Sequence, residues 1–172
     1  MSTAIASPAA APLGDATRER FAREVAKYPA DQAQSAVMAC LSIVQQEQGW
    51  VSPASEKAVA DYLGMPVMAV HEVTTFYNMY NQKPVGRFKL NVCTNAPCMF
   101  AGGHEALQHL CGKLGVEPYG TTADGQFTVQ PSECLGACGD APVMLVNDRH
   151  MCSFMSNDKL DQLVDGLRQA ED

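Results

Sequence analysis

Through the first half of the chain apolar residues recur at helical spacing, and after about residue 81 they switch to alternation. Phe21, Val25 and Tyr28 share one face of a helix that begins near Asp15, and Val37, Cys40, Leu41 and Val44 repeat the spacing in a second. Ser52 followed by Pro53 predicts the start of a third helix, because the hydroxyl can cap free backbone donors and proline fits the first turn. Gly64 suits its left-handed exit. Pro66 opens a fourth helix that carries Val70, Val73, Thr74 and Tyr77. The run NQKPVGRF, residues 81–88, then breaks the helical pattern with Pro84 and Gly86.

Phe88, Leu90 and Val92 alternate as a strand does, and Ala106, Leu107, Leu110, Cys111 and Leu114 form a helical stripe that stops at Gly115. Short strands are predicted at 127–130, 142–146 and 150–155. Ser156 or Asn157 caps a last helix with the face Leu160, Leu163, Val164 and Leu167. The pattern predicts an α+β protein: a tail over 1–14, a helical subdomain over 15–82, and over 83–172 a small sheet flanked by two helices.

Composition narrows the picture. A chain of 172 residues with 47% apolar content can bury one ordinary core or two small ones. A net charge of −7, with no run of basic residues, argues against nucleic-acid binding, which needs a Lys/Arg-rich face to neutralise phosphates. The longest apolar stretch, around Val37 to Val44, falls well short of the ~20 residues that span a bilayer. The chain is therefore expected not to insert into a membrane. MSTAIASPAAAPLG, residues 1–14, lacks a basic start and a strong apolar block, so it is read as a disordered tail and the protein as cytoplasmic.

Seven cysteines in such a chain do not suggest a disulfide framework. Cys40 and Cys111 lie on apolar helical stripes and Cys152 in a strand-like run, where a cysteine serves as a small buried hydrophobe. The other four form two short pairs, Cys93-Thr-Asn-Ala-Pro-Cys98 and Cys134-Leu-Gly-Ala-Cys138, each in a predicted loop beside a strand. These are the candidate metal ligands. A [2Fe-2S] cluster takes four thiolates, two per iron, because bridging sulfides fill the other positions. It is doubly negative when oxidised and triply negative after one electron, so donors must face its sulfurs; Gly136 and Gly139 allow backbone amides to do so, and Pro97 stiffens the other loop.

Structural zinc also takes four cysteines, and Cys134 with Cys138 suits it. The four-residue gap between Cys93 and Cys98 is wider than the usual zinc knuckle and equals the first gap of plant-type ferredoxins, though the second pair does not follow that pattern. No histidine lies within either pair, and His71, His104, His109 and His150 are read as ordinary helix and loop residues. Phe76, Tyr77, Met79 and Tyr80 fit either a partner-binding patch or helical core packing.

CTNAPCMF (93–100) together with SECLGACGDAPVM (132–144) resembles the thioredoxin-like [2Fe-2S] ferredoxin family, in particular its E-subunit branch in NADH:quinone oxidoreductase, respiratory complex I. SIVQQEQGWVSP (42–53) and VHEVTTFYNMYNQKPVGRF (70–88) extend the likeness, which covers about residues 16–170. The resemblance implies a helical bundle followed by a thioredoxin-like domain. It also implies one iron on Cys93 and Cys98 and the other on Cys134 and Cys138.

It further implies a one-electron carrier docked against a flavoprotein subunit that alone binds FMN and NADH, among other subunits of the complex's hydrophilic arm. The chain would then sit on the cytoplasmic side of the inner membrane, held there by its partners. Temporary storage of an electron near the flavin is a further implication. Two other readings stand beside it: the equivalent subunit of an NAD-linked formate dehydrogenase or NAD-reducing hydrogenase, and a four-cysteine zinc module that mediates assembly.

Overall fold

The computed structural model describes residues 13–170. Most of the predicted tail thus lies outside the described residues. The chain divides into two compact units, one through Pro84 and one from Val85.

The first unit is helical: α1 (Asp15–Val25), a 3-10 segment (Ala30–Ala36), α2 (Val37–Gln48), α3 (Pro53–Leu63) and α4 (Val67–Phe76). Each amphipathic helix buries one face, and the faces meet in a core containing Phe21, Leu41, Val44, Val51, Val59 and Val70. Phe21 also packs edge-on against Tyr62, with ring centroids 5.1 Å apart. The Ser52 hydroxyl accepts the Ser55 N–H at 3.1 Å, Pro53 occupies the first turn of α3, and Gly64 closes that helix at φ +66°.

Two residues leave the helices predicted for them. Tyr28 lies past the end of α1, and Tyr77 turns to an extended conformation that terminates α4. The aromatic group after α4 is divided in its environment: Tyr80 is buried and donates its hydroxyl to the Met38 carbonyl at 2.9 Å, whereas Phe76 is 80% exposed.

The second unit contains β1 (Phe88–Cys93), α5 (Ala96–Phe100), α6 (Gly103–Leu114), β2 (Gly120–Thr121), β3 (Phe127–Ser132), β4 (Met144–Val146), β5 (His150–Cys152) and α7 (Asn157–Gln169). The sheet order is β2-β3-β1-β4-β5. β1 and β3 run parallel, from Phe88 opposite Phe127 to Cys93 opposite Ser132, and the other pairings are antiparallel. α6 packs on β1 and β3 and against α7. Leu90, Val92, Phe127, Val129 and Met144 from the sheet meet Leu110, Leu160 and Val164 from the helices.

Alternation identified β1 correctly, yet its polar positions are buried too. Lys89 pairs with Asp148, and Asn91 bonds both Asp148 and Gln130. The β4–β5 turn, with Asn147 and Asp148 both left-handed, brings that carboxylate back over β1. The periodicity did not predict β2 or α5. β2 has two residues, too short for a period; α5 announces itself only by Asn95 as a cap and Pro97 in its first turn.

Candidate metal centre

Cys93 is the last residue of β1, and its N–H donates to the Val143 carbonyl at 3.1 Å. Its side chain projects from the strand end that parallel pairing sets beside Ser132. Cys98 lies within α5 and not in an open loop, as its neighbours in sequence suggested. Both are 1% exposed and pack with Val143 in a small apolar cluster against Leu135, Ala137 and Ala141.

The second pair is on the surface. Cys134 follows β3, and Cys138 opens a 3-10 turn (Cys138–Asp140); both are exposed. Gly136 takes φ +75°, a conformation that costs glycine nothing, and this lets its N–H donate to Cys134 Sγ at 3.4 Å. The predicted amide donor to sulfur is thus present at Gly136. Gly139 does not adopt positive φ.

Cys138 interacts electrostatically with Cys134, Cys93 and Cys98, and Cys98 with Cys93. Burial pushes the Cys98 thiol up, with further upward contributions from its contact with Cys93 and the charge of Cys138, against a backbone hydrogen bond from Val143. The Cys138 thiol is raised first by its hydrogen bond with Cys134, then by burial and by the charges of Cys134 and Cys93. Cys93 thus neighbours Cys98, and Cys134 neighbours Cys138, while charge interactions link Cys138 to Cys93 and Cys98 across the two pairs. Among the described residues no three His, Cys, Asp or Glu side chains close on a point that could hold one metal ion.

Two cysteine pairs can supply the four thiolates of a [2Fe-2S] cluster, two to each iron. The donor set is wholly sulfur. His71 bonds Glu56 at 3.0 Å and His109 bonds Asp161 at 2.8 Å, so both histidines are engaged in hydrogen bonds to carboxylates. Cys40 is fully buried in the helical core, while Cys111 and Cys152 are half-buried at the edge of the second core.

Sequence reasoning missed Gly103. A Cβ at this first residue of α6 would lie 2.6 Å from the Cys93 carbonyl oxygen and 2.9 Å from that of Cys98. Only a glycine lets α6 start against the first cysteine segment. The preceding Gly102, at φ +97°, was the available signal: a Gly-Gly pair just after a cysteine motif marks a close backbone approach.

Known proteins resemble this chain along most of its length. It is 40% identical over 154 residues to the second E-type chain of NADH-quinone oxidoreductase from Rhizobium meliloti, covering 90% of each chain. It is 39% identical over 143 residues to NADH-quinone oxidoreductase subunit 2 of Thermus thermophilus, covering 83% of this chain and 79% of that protein. A NAD+-reducing [NiFe]-hydrogenase in the H2-reduced state has a similar fold, with a TM-score of 0.67 and 21% identity over 79% of this chain; the match spans 23% of the hydrogenase chain. Residues 21–168 match the family of thioredoxin-like [2Fe-2S] ferredoxins. With its helical first unit, its mixed sheet and its two cysteine pairs, the chain belongs to the thioredoxin-like [2Fe-2S] ferredoxin family.

Proposed function

We propose that Cys93 and Cys98 hold one iron, and Cys134 and Cys138 the other, of a single [2Fe-2S] cluster in an electron-transfer subunit of NADH:quinone oxidoreductase. The observation that carries this reading is the link between two cysteine pairs, Cys138 interacting with both Cys93 and Cys98: one pair is buried at the end of β1 and in α5, the other lies on the surface after β3.

When bound, the cluster accepts and releases one electron at a time. The protein's part is to hold and tune it. Cys93 and Cys98 present their sulfurs from a buried apolar pocket, which disfavours added negative charge, while the Val143 and Gly136 amides offset that charge at Cys98 and Cys134. The exposed pair leaves one side of the site open to a partner surface.

FMN and NADH belong, on this reading, to a flavoprotein subunit beside this one. The names borne by relatives at 37–40% identity support NADH:quinone oxidoreductase over a formate dehydrogenase or a hydrogenase, because the hydrogenase likeness concerns the fold alone. Among the described residues no helix is long and apolar enough to cross a membrane. A place on the cytoplasmic side of the inner membrane would therefore depend on partner subunits.

The test is electron paramagnetic resonance of the dithionite-reduced protein, with iron and acid-labile sulfide assayed on the same sample. Two irons, two sulfides and a signal from one unpaired electron are expected. A colourless protein that contains zinc and no sulfide would overturn the assignment in favour of an assembly module.

A further inference from the structure

Asn95 lies two residues after Cys93 and donates from Nδ2 to Glu133 Oε2 at 3.2 Å; Glu133 directly precedes Cys134. The other end of the same side chain is also engaged. Asn95 Oδ1 accepts the Ala96 N–H at 3.1 Å and caps α5, the helix that carries Cys98. One amide therefore fixes the start of the Cys98 helix and ties it to the residue before the second cysteine pair.

The second cysteine segment needs such a tie. Between the end of β3 at Ser132 and the start of β4 at Met144 it has no strand partner. Its far end is held by the Phe154 N–H on the Asp140 carbonyl at 2.8 Å and by the Ser153 hydroxyl on the Asp140 carboxylate at 3.0 Å. At its near end Thr94 N–H reaches the Ser132 carbonyl at 3.1 Å, and Asn95 to Glu133 is the next link outward.

We propose that Asn95 and Glu133 are positioning residues for the cluster, their hydrogen bond fixing the separation of the two cysteine pairs while Glu133 places a negative charge beside the site. The inference rests on the ligand assignment above. An amide-to-carboxylate bond is charge-assisted and stronger than a neutral one. Groups that orient metal ligands from behind contribute measurably to metal retention, although they never touch the metal.

Reconstituted full-length variants separate the two roles. Asn95→Asp keeps an acceptor for the Ala96 N–H, so α5 stays capped, but it sets like charge against Glu133. Loss of visible absorbance in excess EDTA should be faster by about three- to ten-fold. Glu133→Gln keeps an acceptor for Asn95 but makes the bond neutral, so release should quicken less than in Asn95→Asp while the reduction potential rises. Asn95→Asp combined with Glu133→Gln inverts the bond: the glutamine amide donates to the aspartate, total charge is conserved, and the slow release should return.

An unchanged rate in Asn95→Asp, a double variant that releases as fast as the single one, or an unmoved potential in Glu133→Gln overturns the proposal. Unmodified protein that takes up no iron and sulfide overturns the ligand assignment beneath it instead.

Discussion

Gly103 lies so close to Cys93 that a methyl group added to it would sit 2.6 Å from the Cys93 carbonyl oxygen. The start of α6 and the end of β1 therefore share space that backbone alone can occupy, and Cys98, whose carbonyl would be 2.9 Å from the same methyl, is drawn into that contact.

Gly103→Ala should consequently destabilise the second unit by about 1–3 kcal/mol, the usual range for overpacking. It should also lower iron content, because both colliding carbonyls belong to proposed ligands. Gly112 in the same helix is the control. A methyl there meets nothing within 4 Å, so Gly112→Ala should stabilise by up to about 1 kcal/mol. Denaturant titration together with iron assay tests the pair; equal effects of both substitutions would refute the contact.

Cys98→Ser should abolish or greatly alter the cluster, and Cys111→Ser should leave it intact. Cys98 is buried in contact with Cys93, whereas Cys111 is half-buried in the packing of α6. Iron and sulfide per chain are the readout. Equal contents in the two variants would contradict the assignment.

Cys40 predicts an alkaline weakness unrelated to the cluster. Burial, followed by the charge of Glu24, pushes its thiol from an ordinary 9.0 up to about 12. The unfolded chain therefore ionises first, and the neutral thiol's contribution is intact below about pH 9, then declines as pH rises toward about 12. The loss is about 1.4 kcal/mol per pH unit for one proton. Cys40→Ala, less stable at neutral pH through lost packing, should decline less steeply between pH 9 and 11 in denaturant titrations. Parallel declines would show that Cys40 does not carry the effect.

Ser52→Ala removes the cap of α3. The Ser52 hydroxyl accepts the Ser55 N–H at 3.1 Å and bonds the Ser55 hydroxyl at 2.8 Å in a buried setting. A cost of about 1 kcal/mol is expected in denaturant titration. Iron content should not change, because the substitution leaves every cysteine segment untouched.

Single residues show how far the sequence alone reached. Ser52 with Pro53, and Gly64, marked the ends of α3 because capping and left-handed exits depend on local chemistry that neighbours in sequence supply. Leu90 and Val92 identified β1, and Leu110 and Leu114 identified α6, since a period of two or of 3.6 residues is written directly into the chain. The two cysteine pairs were legible for the same reason: ligand spacing within a pair is a local property.

Tertiary structure decided what depends on distant segments. Parallel pairing of β1 with β3 sets Cys93 beside Ser132 and so brings the second pair toward the first, across 38 residues that carry no mark of the pairing. The burial of Lys89 and Asn91 came from Asp148 in a later turn, and the need for glycine at 103 from carbonyls 10 and 5 residues earlier. Local periodicity records which face of an element is apolar; it cannot record which other element will cover the opposite face, because that contact forms only when the chain closes on itself.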